Sequence, residues 1–102
     1  MNSDFNNAAV MLIESLCFNE SVRVWKEPSR INMFAKIDDK HQMVASVYID
    51  DAGVDWIRIR RLPYGQDFDP TGVLPKLDIA GFSEESVFAA IVFIRENSRP
   101  KR

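Results

Sequence analysis

Residues 43–60 read MVASVYIDDAGVDWIRIR, and this stretch decides the fold. Met43, Ala45, Val47 and Ile49 alternate with Val44, Ser46 and Tyr48, and beyond the turn Asp51-Ala52-Gly53, Ile57 and Ile59 alternate with Trp56, Arg58 and Arg60. Apolar residues recurring at a period of two mark half-buried strands. Gly53 suits the positive φ of a three-residue hairpin turn, so the two runs are antiparallel neighbours. If Asp50 pairs with Val54, Tyr48 lies opposite Trp56, Ser46 opposite Arg58 and Val44 opposite Arg60, while Ile49 faces Asp55 and Val47 faces Ile57 on the other side. A slip of one residue would mix the two sets.

The same period extends upstream. Val22 and Val24 alternate with Arg23 and Trp25, and after Pro28 the run Ile31, Met33, Ala35, Ile37 alternates with Asn32, Phe34 and Lys36. Glu27-Pro28-Ser29-Arg30 and Asp38-Asp39-Lys40-His41 are turn chemistry, and connections this short force antiparallel pairing. The first hairpin then sets Val24 opposite Met33 and Arg23 opposite Phe34.

Helical periodicity flanks the strands. From Phe5 to Phe18 the residues Phe5, Ala8, Ala9, Leu12, Ile13 and Leu16 fall on one helical face, with Ser3 or Asp4 as cap and Asn19 as the stop. At the other end Ser83 reads as an N-cap, Glu84 and Glu85 sit at the positive end of the dipole, and Val87, Ala90, Ile91 and Ile94 share a face running to about Asn97. Between the fourth strand and this helix, Leu62–Phe82 carries Pro63, Gly65, Pro70, Gly72, Pro75 and Gly81 and reads as a long loop, with a short fifth strand around Leu77 to Ala80 as the variant reading.

The expected fold is α+β: a four-stranded antiparallel meander with an N-terminal and a C-terminal helix packed on one face, α-β-β-β-β-α, in a two-layer sandwich. The 102 residues suffice for one domain, placed at 1–98, followed by a short basic tail at 99–102 that is expected to be mobile.

Parity sorts the strand residues into two surfaces. One is aliphatic, formed by the valines, isoleucines, methionines and alanines named above, and it needs the apolar stripes of the helices. The other collects Trp25, Phe34, Tyr48 and Trp56 with Arg23, Lys36, Arg58 and Arg60, and Asp50 is the acid of that parity. Trp, Tyr and Arg are the residue types that dominate protein interfaces, because they bury large areas and keep a polar handle. Rings interleaved with cations also suit stacked bases and phosphates. A third reading is internal packing beneath the loop, with Arg on Trp as cation–π contacts.

Charge ranks the partners. Thirteen basic residues stand against fifteen acidic ones, net −2, which disfavours a binder that gains affinity by counterion release. The sequence therefore predicts a stoichiometric, non-enzymatic protein-binding module of adaptor, inhibitor or immunity type. The site residues are Arg23, Trp25, Phe34, Lys36, Tyr48, Trp56, Arg58 and Arg60; the partner is another protein or itself as a homodimer, with single-stranded nucleic acid as the alternative.

Other chemistries lack their residues. One cysteine and one histidine are too few for an ordinary structural zinc site. His41 reads as a solvated turn residue with only Asp38 or Asp39 near in sequence, and Cys17 as a small buried hydrophobe. Asp67-Phe68-Asp69 lacks the remaining ligands of a calcium loop, Asp69-Pro70-Thr71-Gly72 reads as a turn, and no phosphate-binding glycine motif is present. No catalytic residue, metal or cofactor is expected. The polar Met1–Asn7 and the lack of an apolar run near ~20 residues point to a cytoplasmic protein without a membrane partner.

Overall fold

A computed structural model describes residues 3–17 and 22–100. Helix α1 (Ser3–Leu16) is followed by strands β1 (Val22–Glu27), β2 (Arg30–Lys36), β3 (His41–Ile49), β4 (Asp55–Pro63) and β5 (Lys76–Ala80), then helix α2 (Glu84–Asn97). The strands form one antiparallel sheet in the order β1-β2-β3-β4-β5. The α+β class is as the sequence indicates, but the sheet has five strands, a correction to the four-stranded meander.

The added strand has a physical cause. Leu77 and Ile79 flank Asp78 in a period-two run too short to stand out from its Pro- and Gly-rich surroundings. Pairing with β4 decides it, because Leu77 falls opposite Ile59 and Ile79 opposite Ile57, adding both to the aliphatic side. β4 also continues past Arg60 to Pro63, which shortens the expected loop of 62–82 to residues 64–75.

The two hairpin registers are those read from parity. Tyr48 pairs with Trp56, Ser46 with Arg58 and Val44 with Arg60, and Asp50 and Val54 close the turn through a 2.9 Å backbone bond with Gly53 at φ 80°. On the first hairpin Val24 pairs with Met33 and Arg23 with Phe34.

Both helices lie on the aliphatic face, α1 over β2 and β3, α2 over β4 and β5. Phe5, Leu12 and Leu16 of α1, Val87 and Ile94 of α2, and Met33, Met43, Val47, Ile57 and Ile59 of the sheet form one buried core. Ser83 caps α2 as expected, its hydroxyl accepting from the Ser86 N–H at 3.2 Å. α1 already includes Ser3 and Asp4, so its cap lies outside the described residues, as do Phe18, the stop at Asn19 and the tail residues Lys101 and Arg102. Cys17 is exposed rather than buried, because it follows the last turn of α1 beyond the apolar stripe; its thiol donates to the Ile13 carbonyl at 3.2 Å. Among the described residues no helix is long and apolar enough to cross a membrane.

One charged side chain is enclosed by this layer. Arg61 is 95% buried on β4, and its Nη1 donates to the carbonyls of Asn97 at 2.7 Å and Arg99 at 2.8 Å, where the C-terminal end of α2 concentrates negative partial charge. The first residue of the basic tail is thereby tied to the sheet.

Candidate recognition face

Because both helices occupy one side, the outer side of the sheet is covered, among the described residues, only where the loop folds back on it. Its residues fall into rows across the strands. One row runs Trp25, Asn32, Ser46, Arg58, Asp78, the next Arg23, Phe34, Val44, Arg60, Lys76, and a third Glu27, Arg30, Tyr48, Trp56, Ala80. All eight residues singled out from the sequence stand on this side, but in two groups.

The group on β3 and β4 is tied down. Trp56 donates its indole N–H to Asp50 Oδ2 at 2.9 Å, and Asp50 also accepts the N–H groups of Val54 and Ala52. The Val54 N–H first, then the indole, hold the Asp50 carboxyl below its ordinary range. Arg58 donates Nε to Asp78 Oδ1 at 2.8 Å, a bond that raises its pKa further. Tyr48 lies between Arg30, 4.5 Å from its ring centroid, and Arg58 at 5.9 Å. Arg60 donates to the Asp67 carbonyl at 3.1 Å; burial first, and the Arg58 charge second, lower its pKa.

The group on β1 and β2 is open. Trp25 is 65% exposed, Arg23 lies 5.7 Å from the Phe34 ring centroid, and Lys36 reaches Asp39 at 3.2 Å and the Tyr64 ring at 5.2 Å. Loop residues 64–68 rise beside this group. The Tyr64 N–H bonds to the Lys40 carbonyl at 2.9 Å and Gln42 Nε2 donates to the Gln66 carbonyl at 2.9 Å, so this part of the loop is anchored to β3 and its approach. Between loop and strand runs a groove of about 890 Å³, with Phe34 and Gln42 lining it together with Arg23 and Trp25 from β1 and with Asp67 and Phe68 from the loop. Phe68 is 60% exposed.

Several contributors were not read from the sequence. Arg30 and Glu27 close the first hairpin and belong to the face, a placement that counting parity through the two-residue turn would have found. Asp78 joins through β5, so Asp50 is not the lone acid of the face. Val44 and Ser46 were placed on this side by the register, but their burial there was not read, nor was the bond that Ser46 donates to Asn32 Oδ1 at 2.6 Å. Phe68 had no local signal, since a loop residue has no parity.

Among the described residues neither His41 nor Asp69 lines the groove. His41 stands at the start of β3 with Nδ1 3.3 Å from Asp38 Oδ1, and Asp38 is occupied by the N–H groups of Lys40 and His41, the first of these most strongly lowering its pKa. Asp69 is used within its own turn, accepting from the Thr71 hydroxyl at 2.6 Å and the Leu74 N–H at 2.8 Å. Among the described residues no three His, Cys, Asp or Glu side chains gather as a metal site.

Compared with known proteins, the chain matches no family, no curated protein and no solved structure. The functional reading therefore rests on the geometry of this face.

Proposed function

We propose that the chain is a stoichiometric protein-binding module of adaptor or inhibitor type that receives a segment of its partner in the groove between β1 and loop residues 64–68. The observation that carries this reading is the pair of exposed rings, Trp25 on a strand and Phe68 on an anchored loop, facing a common floor at Phe34. Isolated exposed apolar residues are ordinary, but large rings converging on a groove with adjacent cations have the composition of interface anchors. No general acid, base or nucleophile is needed for such a role, which is why the chain is read as non-enzymatic.

Single-stranded nucleic acid is the second reading, favoured by one observation. The face carries Arg23, Arg30, Lys36, Arg58, Arg60 and Lys76 against Glu27, Asp50 and Asp78. Ion pairing reduces that excess, since Arg58 is held by Asp78 and Lys36 by Asp39.

The experiment is affinity capture from host extract with wild-type, Trp25→Ser and Phe68→Ser baits, each shown to be folded and each run with and without nuclease. Both changed residues are exposed, so the fold is expected to tolerate them. A protein that survives nuclease and is lost from both variants supports the reading. Loss of all captured material on nuclease treatment, with affinity falling steeply as salt rises, moves the assignment to nucleic acid. Equal capture by all three baits removes the groove from consideration.

A further inference from the structure

β1 differs from every other strand. It is an edge of the sheet, and five of its six residues, from Arg23 to Glu27, are exposed. The helices pack mainly on β2 to β5, and of β1 Val22 alone reaches the core, so from Arg23 onward the strand overhangs it: Trp25 is exposed on the outer side and Val24, 39% exposed, on the helix side. An edge strand bare on both faces presents unpaired backbone groups together with side chains that a new strand could cover.

The side chains of β1 say which strand that is. Arg23 and Glu27 stand two residues before and two residues after Trp25, on the same face. Two copies related by a two-fold axis normal to the sheet keep their faces matched only if a residue stands opposite its own counterpart. Centring on Trp25 sets Arg23 opposite Glu27 of the second copy, and the reverse, giving two opposite-charge pairs beside a Trp25 pair. On the helix side it lays the Lys26 stem over Val24. Centring on Lys26 or on Arg23 instead would oppose like charges at the axis. Centring on Val24 avoids that clash but leaves Glu27 beyond the end of the paired strand.

We infer that the chain forms a two-fold dimer by antiparallel pairing of β1 with β1 of a second copy, in the register that opposes Arg23 to Glu27. This deepens the proposed function by naming a second copy as a partner of the same β1 side, and it rests on that side being a recognition surface. The pairing joins two five-stranded sheets into one of ten strands and brings the two Trp25-lined grooves to either side of the axis. Few residues are engaged, so the interface is at the small end of specific ones and the dissociation constant is expected at about 1–100 µM.

The test is sedimentation equilibrium of the full chain across that range. Wild type is expected to pass from monomer to dimer. Arg23→Glu and Glu27→Arg, each replacing two attractive pairs by two repulsive ones, are expected to weaken dimerisation by roughly tenfold or more, and the double exchange to restore it. Both sites are exposed, and thermal melts confirm that the variants fold. As a second measurement, Trp25→Cys in a Cys17→Ser background is expected to form a disulfide-linked dimer under mild oxidation. A wild type that stays monomeric, a dimer indifferent to both charge changes, or a double exchange that fails to restore it overturns the inference. These outcomes are separable from those of the groove: a monomer whose partner is still lost with Phe68→Ser refutes the pairing and leaves the proposed function standing.

Discussion

Asp50 does three jobs from one position. It accepts the Ala52 and Val54 N–H groups, closing the β3–β4 turn, and it holds the Trp56 indole. Asp38 and Asp69 act similarly in their own turns, and all three carboxyls are held below the ordinary aspartate value of 3.8. A carboxyl whose pKa is lower in the folded state stabilises the fold above its unfolded pKa, and that contribution fades as pH falls through the folded value. Stability is therefore expected to decline from about pH 4 downward, and Asp50→Asn to be less stable at neutral pH with a shallower acid decline, in urea melts near neutrality and at about pH 3. Parallel pH profiles for the two proteins would contradict this. Arg61 makes the sharper case, since its Nε and Nη2 find no partner among the described residues while Nη1 holds the end of α2. Arg61→Met strips two carbonyls of a charged donor and is expected to lower stability by roughly 1–3 kcal/mol, read from the urea midpoint. These bonds were not legible beforehand: Arg61 has the parity of the aliphatic face and resembles its neighbour Arg60 until α2 is placed over it.

At the scale of the element, what was legible depended on the length of the periodic run. β3 and β4 carry enough alternations to fix their parity and their shared register, and Gly53 at φ 80° supplied the turn. β5 has only the five residues Lys76 to Ala80 between Pro75 and Gly81, with a single alternation at Leu77, Asp78 and Ile79, so its existence was decided by the free edge of β4. α2 was announced by its cap, and the prediction here is direct. Ser83→Ala removes the acceptor for the Ser86 N–H, and the Ser83 hydroxyl contact with Ser86 Oγ that accompanies the Ser86 bond to the Ala80 carbonyl. It is expected to cost about 1 kcal/mol, measured by thermal or urea melts. The face residues split on the same scale. Parity placed all eight correctly, but whether a ring is open or bonded depends on neighbours, as Trp25 and Trp56 illustrate.

For the whole molecule, the order of strands sets the order of stability. β3 lies at the centre of the sheet, with buried residues on both faces, whereas β1 is an edge strand exposed from Arg23 to Glu27. Amide hydrogen exchange is expected to be slowest in β3 and its partner face of β4, and fastest in β1 and residues 64–75. Exchange in β1 is further expected to slow as protein concentration rises into the dimer range, with β5 unaffected; concentration-independent exchange in β1 would argue against the edge pairing. The sequence by itself determined the class, the two hairpin registers and the division of strand residues between two faces, because side-chain alternation and turn residues are local properties of the chain. Only the tertiary structure decided that β5 completes the sheet, that Arg61 is buried against the end of α2, and that loop residues 64–68 and β1 enclose a groove. Each of those depends on segments distant in sequence meeting in space, and on which backbone and side-chain groups are left without a nearer partner.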